Sequence, residues 1–492
     1  FKLINGMLSL LIVAFFFLTL QKSYYYEPFQ FKMNGVQTLV SKAFNYTCFV
    51  DSCNTSDIKS IERNKLDKRI LDRIGSQTVD IYPWDYSYIA ANHLNWKPRP
   101  VLQAYASYSR ELDHLNAVHF ESAGAPEFII WELRKITHDI HGGSLESIDG
   151  RYLLNDEPET LMALFRQYEL VETQNGIFPA LILKHRTLPL HNETKVIGKT
   201  TASWNTWIDV PANKQGILKA SASLNRSVAG KLKSFFYKDE ATYVYYLLEN
   251  GDIRMYRIVP KNAAYGLWIN PLLINPEKNA SEPAVTKIMF RCSNTAMMKS
   301  EIELEWNQVL FAQAGLAGVG SDKNIDPVNA FFGITEKAEM KEMLYSENKL
   351  EGTARFWSAM DVAKVKTAGG LHSYQLLPDE YSVSFQYPLD SLNASDTSSG
   401  IIVRAGAWAK ALQVATAVFV ITIEKDNKSI LWKAVDIQDF IHDHRSMNFI
   451  TNYSVLDKNL LRQKGLILKV YAWNTGKEPM ELNDFSVRIE TW

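Results

Sequence analysis

The chain is short of several things that would narrow its chemistry. Its 492 residues hold only 3 cysteines, too few for a disulfide-built scaffold. Neither sign of charge prevails, with 53 Lys and Arg against 54 Asp and Glu. That balance offers no basic excess to meet a phosphate backbone, so nucleic acid is not expected as a partner. It also supplies no long-range field to steer a highly charged substrate. No Gly-x-Ser-x-Gly elbow and no His-Glu-x-x-His pair occurs, which removes the sequence footing for those two hydrolase designs. Gly315-Leu316-Ala317-Gly318-Val319-Gly320 lacks the following Lys-Ser/Thr of a phosphate-cradling loop. His138-Asp139-Ile140-His141 and His442-Asp443-His444 carry metal-capable side chains without a committed third ligand. No cofactor and no metal is expected.

One long apolar run is present. Between Leu3 and Leu20 the only polar side chains are Asn5, Ser9 and Thr19. A helix of about 18–20 residues, rising about 1.5 Å each, just crosses a hydrocarbon layer of about 30 Å. Lys22 and Tyr24-Tyr25-Tyr26 follow where a lipid–water boundary would lie. A retained anchor in the lipid bilayer is preferred over a cleaved signal peptide, because no small-x-small site follows the run. The sequence opens on Phe1 rather than Met, so this helix is read either as a lone anchor or as the last span of a polytopic protein. Residues from about Tyr24 onward contain no second such run.

Two features point the remaining mass away from the cytoplasm. Cys48 and Cys53 sit in a segment rich in turn formers, Asn-Tyr-Thr-Cys-Phe-Val-Asp-Ser-Cys-Asn. They are read either as a small disulfide, which requires an oxidising compartment, or as two free thiols. Cys292 reads as a small buried residue. Eight Asn-x-Ser/Thr triplets, at Asn45, Asn54, Asn192, Asn225, Asn279, Asn393, Asn427 and Asn452, suit a glycosylated ectodomain, the alternative being chance in an Asn- and Ser-rich chain. The expected location is extracytoplasmic, in a periplasm or at a cell surface.

Periodicity divides the rest. Residues 1–23 are the membrane helix and 24–56 a connector. In 57–175, Ile58, Ile61, Leu66, Ile70, Leu71 and Ile74 recur at helical spacing, closed by Gly75. Strand-like Thr78 to Tyr82, a helix from Trp84 to Leu94, a strand at Pro100 to Tyr105, a helix from Ser109 to Ser122 with Leu112, Leu115, Val118 and His119 on one side, and a strand at Pro126 to Leu133 follow. Glu159 to Tyr168 reads as one more helix. This alternation implies a small α/β domain with a mostly parallel sheet. Short alternating runs then dominate 180–311 and again 350–492, with a Gly- and Ala-rich linker over 312–349. Both read as antiparallel β-sandwiches of jelly-roll type, and Asp426-Asn427 as a hairpin turn.

Val79-Asp80-Ile81-Tyr82-Pro83-Trp84-Asp85, with Trp96-Lys97-Pro98-Arg99-Pro100-Val101-Leu102-Gln103-Ala104-Tyr105, Ala125-Pro126-Glu127-Phe128 and Ser147-Ile148-Asp149-Gly150-Arg151-Tyr152, resembles a domain of uncharacterised bacterial multi-spanning envelope proteins. There it follows the last membrane helix, and some of those proteins resemble glycosyltransferases that use lipid-linked sugars. The resemblance covers roughly a quarter of the chain and implies catalytic loops in upstream helices. Val470-Tyr471-Ala472-Trp473-Asn474 and Asn483-Asp484-Phe485-Ser486-Val487 are similar to jelly-roll modules of carbohydrate-binding proteins, which implies glycans as partners.

The candidate ligand-binding residues follow from residue type. Asp80 and Asp85 fall at the ends of α/β elements, where such domains place ligands, although both can equally cap the helix near Trp84. Arg99 suits a phosphate or carboxylate, or an ion pair with Asp85. Trp204, Trp207, Trp473 and Asn474 combine flat apolar rings with amides, as sugar recognition requires, although Trp in a sandwich is more often core. No catalytic residue is assigned. The expectation is an anchored recognition or scaffold protein of the cell envelope, with the glycosyltransferase-like tail as the alternative.

Overall fold

The computed structural model describes residues 41–42, 44–133, 145–174, 179–213, 215–275, 280–313, 327–332, 341–358, 360–368, 371–392, 401–413, 416–456 and 458–491. Two compact units result, Phe1–Arg63 and Asn64–Trp492. The apolar run at 3–20 lies outside the described residues. Among those described, no helix is long and apolar enough to cross a membrane.

In the first unit the described element is a helix, Tyr46–Arg63. It stands where a turn-rich connector was expected, and of the two readings of Cys48 and Cys53 it fits the free thiols. Cys48 and Cys53 are free, exposed thiols on that helix, where five residues rise ~7.5 Å, beyond the roughly 7 Å that a disulfide spans between Cα atoms. The helix expected over 57–74 is also split, its second half being Lys68–Ile74 in the other unit.

The second unit begins with a five-stranded sheet in the order Asn95–Trp96, Thr78–Tyr82, Phe128–Glu132, Ala180–His185, Tyr168–Gln174. The first two pairings are parallel and the last two antiparallel, so the sheet is mixed rather than mostly parallel. The segment expected as a strand at Pro100 to Tyr105 holds only a short turn of helix, Ala104–Ala106. Period-two burial explains the central strands. Val79, Ile81, Phe128 and Ile130 pack under Ile70 and Ile74 of the Lys68–Ile74 helix, while Tyr82, Ile129 and Trp131 face the opposite way into a second core.

That second core is shared. It runs from Tyr82 and Trp131 through Phe165 to Trp268 and Trp306 of the next sandwich. Phe165 joins the two parts, its ring stacked 5.6 Å from Trp268, and helix Pro327–Phe332 packs against the α/β side, with Phe331 centred 4.4 Å from Phe165 and 5.3 Å from Trp131. The sandwich itself has a four-stranded sheet built on the long Glu301–Gln313 strand and a six-stranded sheet. Two short strands from the α/β segment, Glu146–Ser147 and Arg151–Tyr152, sit at the edge of the six-stranded sheet. The expected strands at 217, 243, 253, 286 and 302 are all present. The helix Val228–Phe236 in this part was not expected.

The C-terminal sandwich packs Phe385, Ile421, Val470 and Phe485 between two sheets. One of them includes Lys341–Asn348, which pairs with Met480–Thr491, so the stretch read as a linker supplies a strand. In the other sheet, Ala417–Lys425 and Lys428–Asp436 join through Asp426 and Asn427, both at positive φ, as a two-residue mirror-type turn requires.

Charge welds the two sandwiches. Arg254 bonds Glu282 at 2.7 Å, Arg404 bonds Glu490 at 3.1 Å and approaches Glu282 at 3.7 Å, and Arg488 bonds Asp252 at 2.9 Å. Burial opposes ionisation of Glu282, but Arg254 and Arg404 beside it hold its carboxyl below the usual range. Arg291 also crosses the junction to the Met447 carbonyl at 2.6 Å and Ser446 Oγ at 2.7 Å.

Removing one partner from a buried ion cluster strands the others, at a cost of about 3–5 kcal/mol. Glu282→Gln should therefore lower the unfolding free energy extrapolated from urea titration by that much, while a paired Glu282→Met/Arg254→Met change recovers a large part. Because the Glu282 pKa is depressed, its contribution is present at neutral pH and disappears as the pH falls through the carboxyl range. The Gln variant should lose stability less steeply on acidification.

Candidate functional site

The outer face of the four-stranded C-terminal sheet carries a cluster of aromatic rings. Its strand order is Phe385–Pro388, Ile467–Asn474, Ala417–Lys425, Lys428–Asp436. Along Ile467–Asn474, Leu468, Val470 and Ala472 point into the core, so alternation turns Lys469, Tyr471 and Trp473 outward. Tyr381 bridges to Trp473 from the edge, and the two rings stack 5.5 Å apart at 18°. Tyr471 meets Tyr381 edge-on at 5.4 Å. Trp432 lies two strands from Lys469, opposite Thr422, and burial raises the Tyr471 hydroxyl against the pull of the Trp432 indole. Tyr381 is 55% and Trp432 54% exposed. Polar groups border the rings, including Lys469 paired with Glu424 at 2.6 Å.

This surface has the ingredients for a neutral polyhydroxylated ligand. Flat rings offer an apolar face with a negative quadrupole to C–H groups. Flanking amides, hydroxyls and charges offer hydrogen bonds. Two of the four rings, Tyr381 and Trp432, are exposed, and Tyr471 and Trp473 are half-buried.

Of the candidate residues, only Trp473 belongs to this face. Its neighbour Asn474 is buried, donating through Nδ2 to the carbonyls of Glu478 at 2.9 Å and Leu376 at 3.3 Å. Trp204 is buried too, its Nε1 donating to the Lys299 carbonyl at 2.7 Å. Trp207 packs half-buried against the C-terminal core. Tyr381, Tyr471 and Trp432 were missed. The outward alternation in 467–474 was legible, but Tyr381 and Trp432 join it only through pairing across strands.

Asp80 and Arg99 form a structural clamp. Both are fully buried, 3.1 Å apart, and Trp96 Nε1 donates to the Asp80 carboxylate at 3.2 Å. Arg99 also bonds the carbonyls of Ile81, Pro83, Val101 and Leu102. It thus pairs with Asp80 rather than Asp85, and neither group is open to a ligand. Asp85 accepts from the backbone N–H of Ser87 at 3.0 Å and from Asn64 at 2.9 Å, an Asx-type turn just ahead of helix Ser87–Asn92. Trp84 is half-buried, edge-on to Tyr105 at 5.5 Å.

A buried acidic group stands behind this clamp. Glu157 Oε1 accepts from Ser107 at 2.7 Å and Asn116 at 2.6 Å, while Oε2 has no partner among the described residues. Burial pushes its carboxyl up to about 7, against the pull of Arg99. Asp113 caps the next helix, accepting from the N–H groups of Glu159 and Thr160 at 2.9 Å each.

A cleft of about 710 Å³ opens between the start of helix Arg110–Glu121 and helix Val228–Phe236. Its walls include Arg110, Arg226, Lys231, Lys233, Lys238 and Lys261.

The remaining predicted sites divide. Asn452 is buried and donates to the Phe419 and Lys433 carbonyls at 2.9 and 3.0 Å, so its amide is not presented for glycosylation. Asn45, Asn54, Asn225 and Asn427 are exposed, Asn192 is half-exposed, and Asn279 and Asn393 lie outside the described residues, as do His138, His141 and 315–320. His442 is buried against Tyr243, the rings stacked 3.7 Å apart, and burial pushes its imidazole down to about 3. Among the described residues no three His, Cys, Asp or Glu side chains converge to hold a metal ion. Burial pushes the Cys292 thiol up to about 11.

No protein-family model matches this chain, and no curated protein does. Solved structures give slight likenesses. The CBM22-1 xylan-binding domain of Paenibacillus barcinonensis Xyn10C is 15% identical over 30% of this chain and 94% of its own, with a TM-score of 0.20. The CBM22-1–CBM22-2 tandem of the same protein is 11% identical over 65% and 93%, at 0.21. The ANXUR2 extracellular domain of Arabidopsis thaliana is 12% identical over 61% and 83%, at 0.19. Scores of this size bear no weight on function.

Glu157 supplies a pH signature. A carboxyl raised from the ordinary range to about 7 makes the fold bind a proton the unfolded chain lacks, so stability declines as pH rises through that interval. At about 1.4 kcal/mol per unit, the decline is on the order of 3 kcal/mol. Glu157→Gln, which keeps the Oε1 acceptor, should flatten the dependence of the urea midpoint between pH 5 and 8.

Proposed function

We propose that this protein is a membrane-anchored, extracytoplasmic recognition protein that binds glycans on the outer face of its C-terminal sandwich. The observation that carries the reading is the outward cluster of Tyr381, Tyr471, Trp473 and Trp432 on one sheet face. Rings that only filled a core would point inward with Leu468 and Val470. Here a sugar ring laid on Trp473 or Trp432 would bury apolar C–H faces, and Lys469 and Glu424 would meet its hydroxyls. The apolar run at 3–20, with Lys22 and Tyr24 to Tyr26 after it, supports anchoring. The exposed sequons at Asn45, Asn54, Asn225 and Asn427 support an extracytoplasmic location.

The test is a glycan array probed with the full chain in detergent. At least one polysaccharide class should bind. Aromatic contacts contribute about 0.5–1.5 kcal/mol each beyond area burial, so Trp473→Ala or Tyr381→Ala should weaken binding about tenfold or more. The exposed Tyr381 should do so without moving the thermal midpoint, and Trp204→Phe should leave affinity intact. A blank array, or equal affinities across the series, would overturn the glycan reading. An impermeant amine-reactive reagent should label the chain in intact cells. Labelling only after lysis would overturn the location.

A further inference from the structure

We infer that helix Val228–Phe236 is an interfacial membrane helix that lays its apolar face into the surface of an anionic bilayer. Helices on globular proteins ordinarily turn their apolar stripe to the core. This one is reversed. Val228, Leu232, Phe235 and Phe236 recur at i, i+4, i+7 and i+8, one continuous stripe, and all four are exposed, Val228 at 87% and Phe235 at 82%. Phe235 and Phe236 stand edge-to-face at 5.0 Å.

The orientation is enforced from the other side. Gly230 is buried so tightly that a Cβ there would come within 1.9 Å of the Met297 carbonyl oxygen. Ser227 caps the helix through the Gly230 N–H at 3.1 Å and donates to the Ala296 carbonyl at 2.9 Å. Lys233 is fastened to Glu240. The helix cannot roll its phenylalanines inward without breaking these contacts.

Charge selects the occupant. Between 226 and 240 there are four cations and two anions, and the anions are engaged, Asp239 by Arg226 and Glu240 by Lys233. Lys231 and Lys238 remain exposed beside the apolar stripe, with Arg110 and Lys261 farther along the same cleft. An apolar stripe flanked by lysines matches acyl chains beneath anionic headgroups. A second copy of this chain fits poorly, because a two-fold contact would set the same cations against each other. This inference does not depend on the glycan reading.

The test places a nitroxide label at Phe235→Cys in a Cys48→Ser/Cys53→Ser background, full chain, with Leu412→Cys as the control position; Cys292 is buried and stays unlabelled. Both labelled side chains are exposed, so neither change should shift the thermal midpoint. With vesicles of phosphatidylcholine plus about 30% phosphatidylserine, the label at 235 should favour collisions with oxygen over a water-soluble nickel chelate by about threefold relative to the label at 412. The preference should shrink with pure phosphatidylcholine and at roughly 1 M salt. A label at 235 that stays water-accessible in anionic vesicles, whether or not the chain floats with them, overturns the inference. Immobilisation that rises with protein concentration in the absence of lipid also overturns it and identifies a second copy as the occupant.

Discussion

The junction between the two sandwiches determines which surfaces the molecule presents. The outer face of one C-terminal sheet contributes Arg404, Arg488 and Glu490 to it, and the facing sandwich contributes Arg254 from a strand and Asp252 and Glu282 from the connections beside its strands. Each of these ions is costly to bury alone. Together they satisfy one another only when the sandwiches meet in one register, whereas a purely apolar contact would tolerate sliding. Tyr245, Met255 and Met289 then complete an apolar surround continuous with the C-terminal core. With that sheet face consumed and the inner faces packed on each other, the outer face bearing Tyr381, Tyr471, Trp432 and Trp473 is left toward solvent.

The α/β segment is tied in by a different device. Its sheet and the first sandwich share a core, and the polar groups trapped there find partners far away in sequence. Asn262 donates to the carbonyls of Ser107 and Asp156 at 2.6 and 2.7 Å, and Asn155 accepts from the Trp268 N–H at 2.7 Å. Lys219 reaches the Pro158 carbonyl at 3.4 Å, and burial pushes its amine down to about 8. These contacts leave Glu157 with one unpartnered oxygen in a closed site, which is why its proton is held so strongly.

Strand alternation was the most legible feature of the sequence. Leu468, Val470 and Ala472 inward with Tyr471 and Trp473 outward is visible in the letters alone, and so is the Asp426-Asn427 turn. What failed was anything decided by a distant partner. The helix Arg110–Glu121 was expected to bury Leu112, Leu115, Val118 and His119. It buries Asp113, Asn116, Ala117 and Phe120, leaving Leu115 and Val118 exposed. Asp113 is inside because the N–H groups of Glu159 and Thr160 need an acceptor, and Asn116 because it bonds both Val101 and Glu157. Local hydropathy holds no record of such partners. Likewise Arg99 turns 97–103 into a loop by collecting carbonyls from both sides, where propensity alone favoured a strand.

The two exposed apolar features differ in the company they keep, and that difference carries their separate readings. On the sheet face the rings stand beside Lys469 and Glu424, which pair with each other, so these charges cancel and the surface offers both flat carbon and hydrogen-bonding groups. On helix Val228–Phe236 the stripe is unbroken by polar groups, and the charge beside it is of one sign, with Lys231 and Lys238 left over after Asp239 and Glu240 are engaged. A hydroxylated ligand would gain little from a surface without acceptors. A bilayer would gain little from rings spaced by paired charges. On the two proposals made above, residues of the same hydrophobic class serve different solvents, and the polar neighbours decide which.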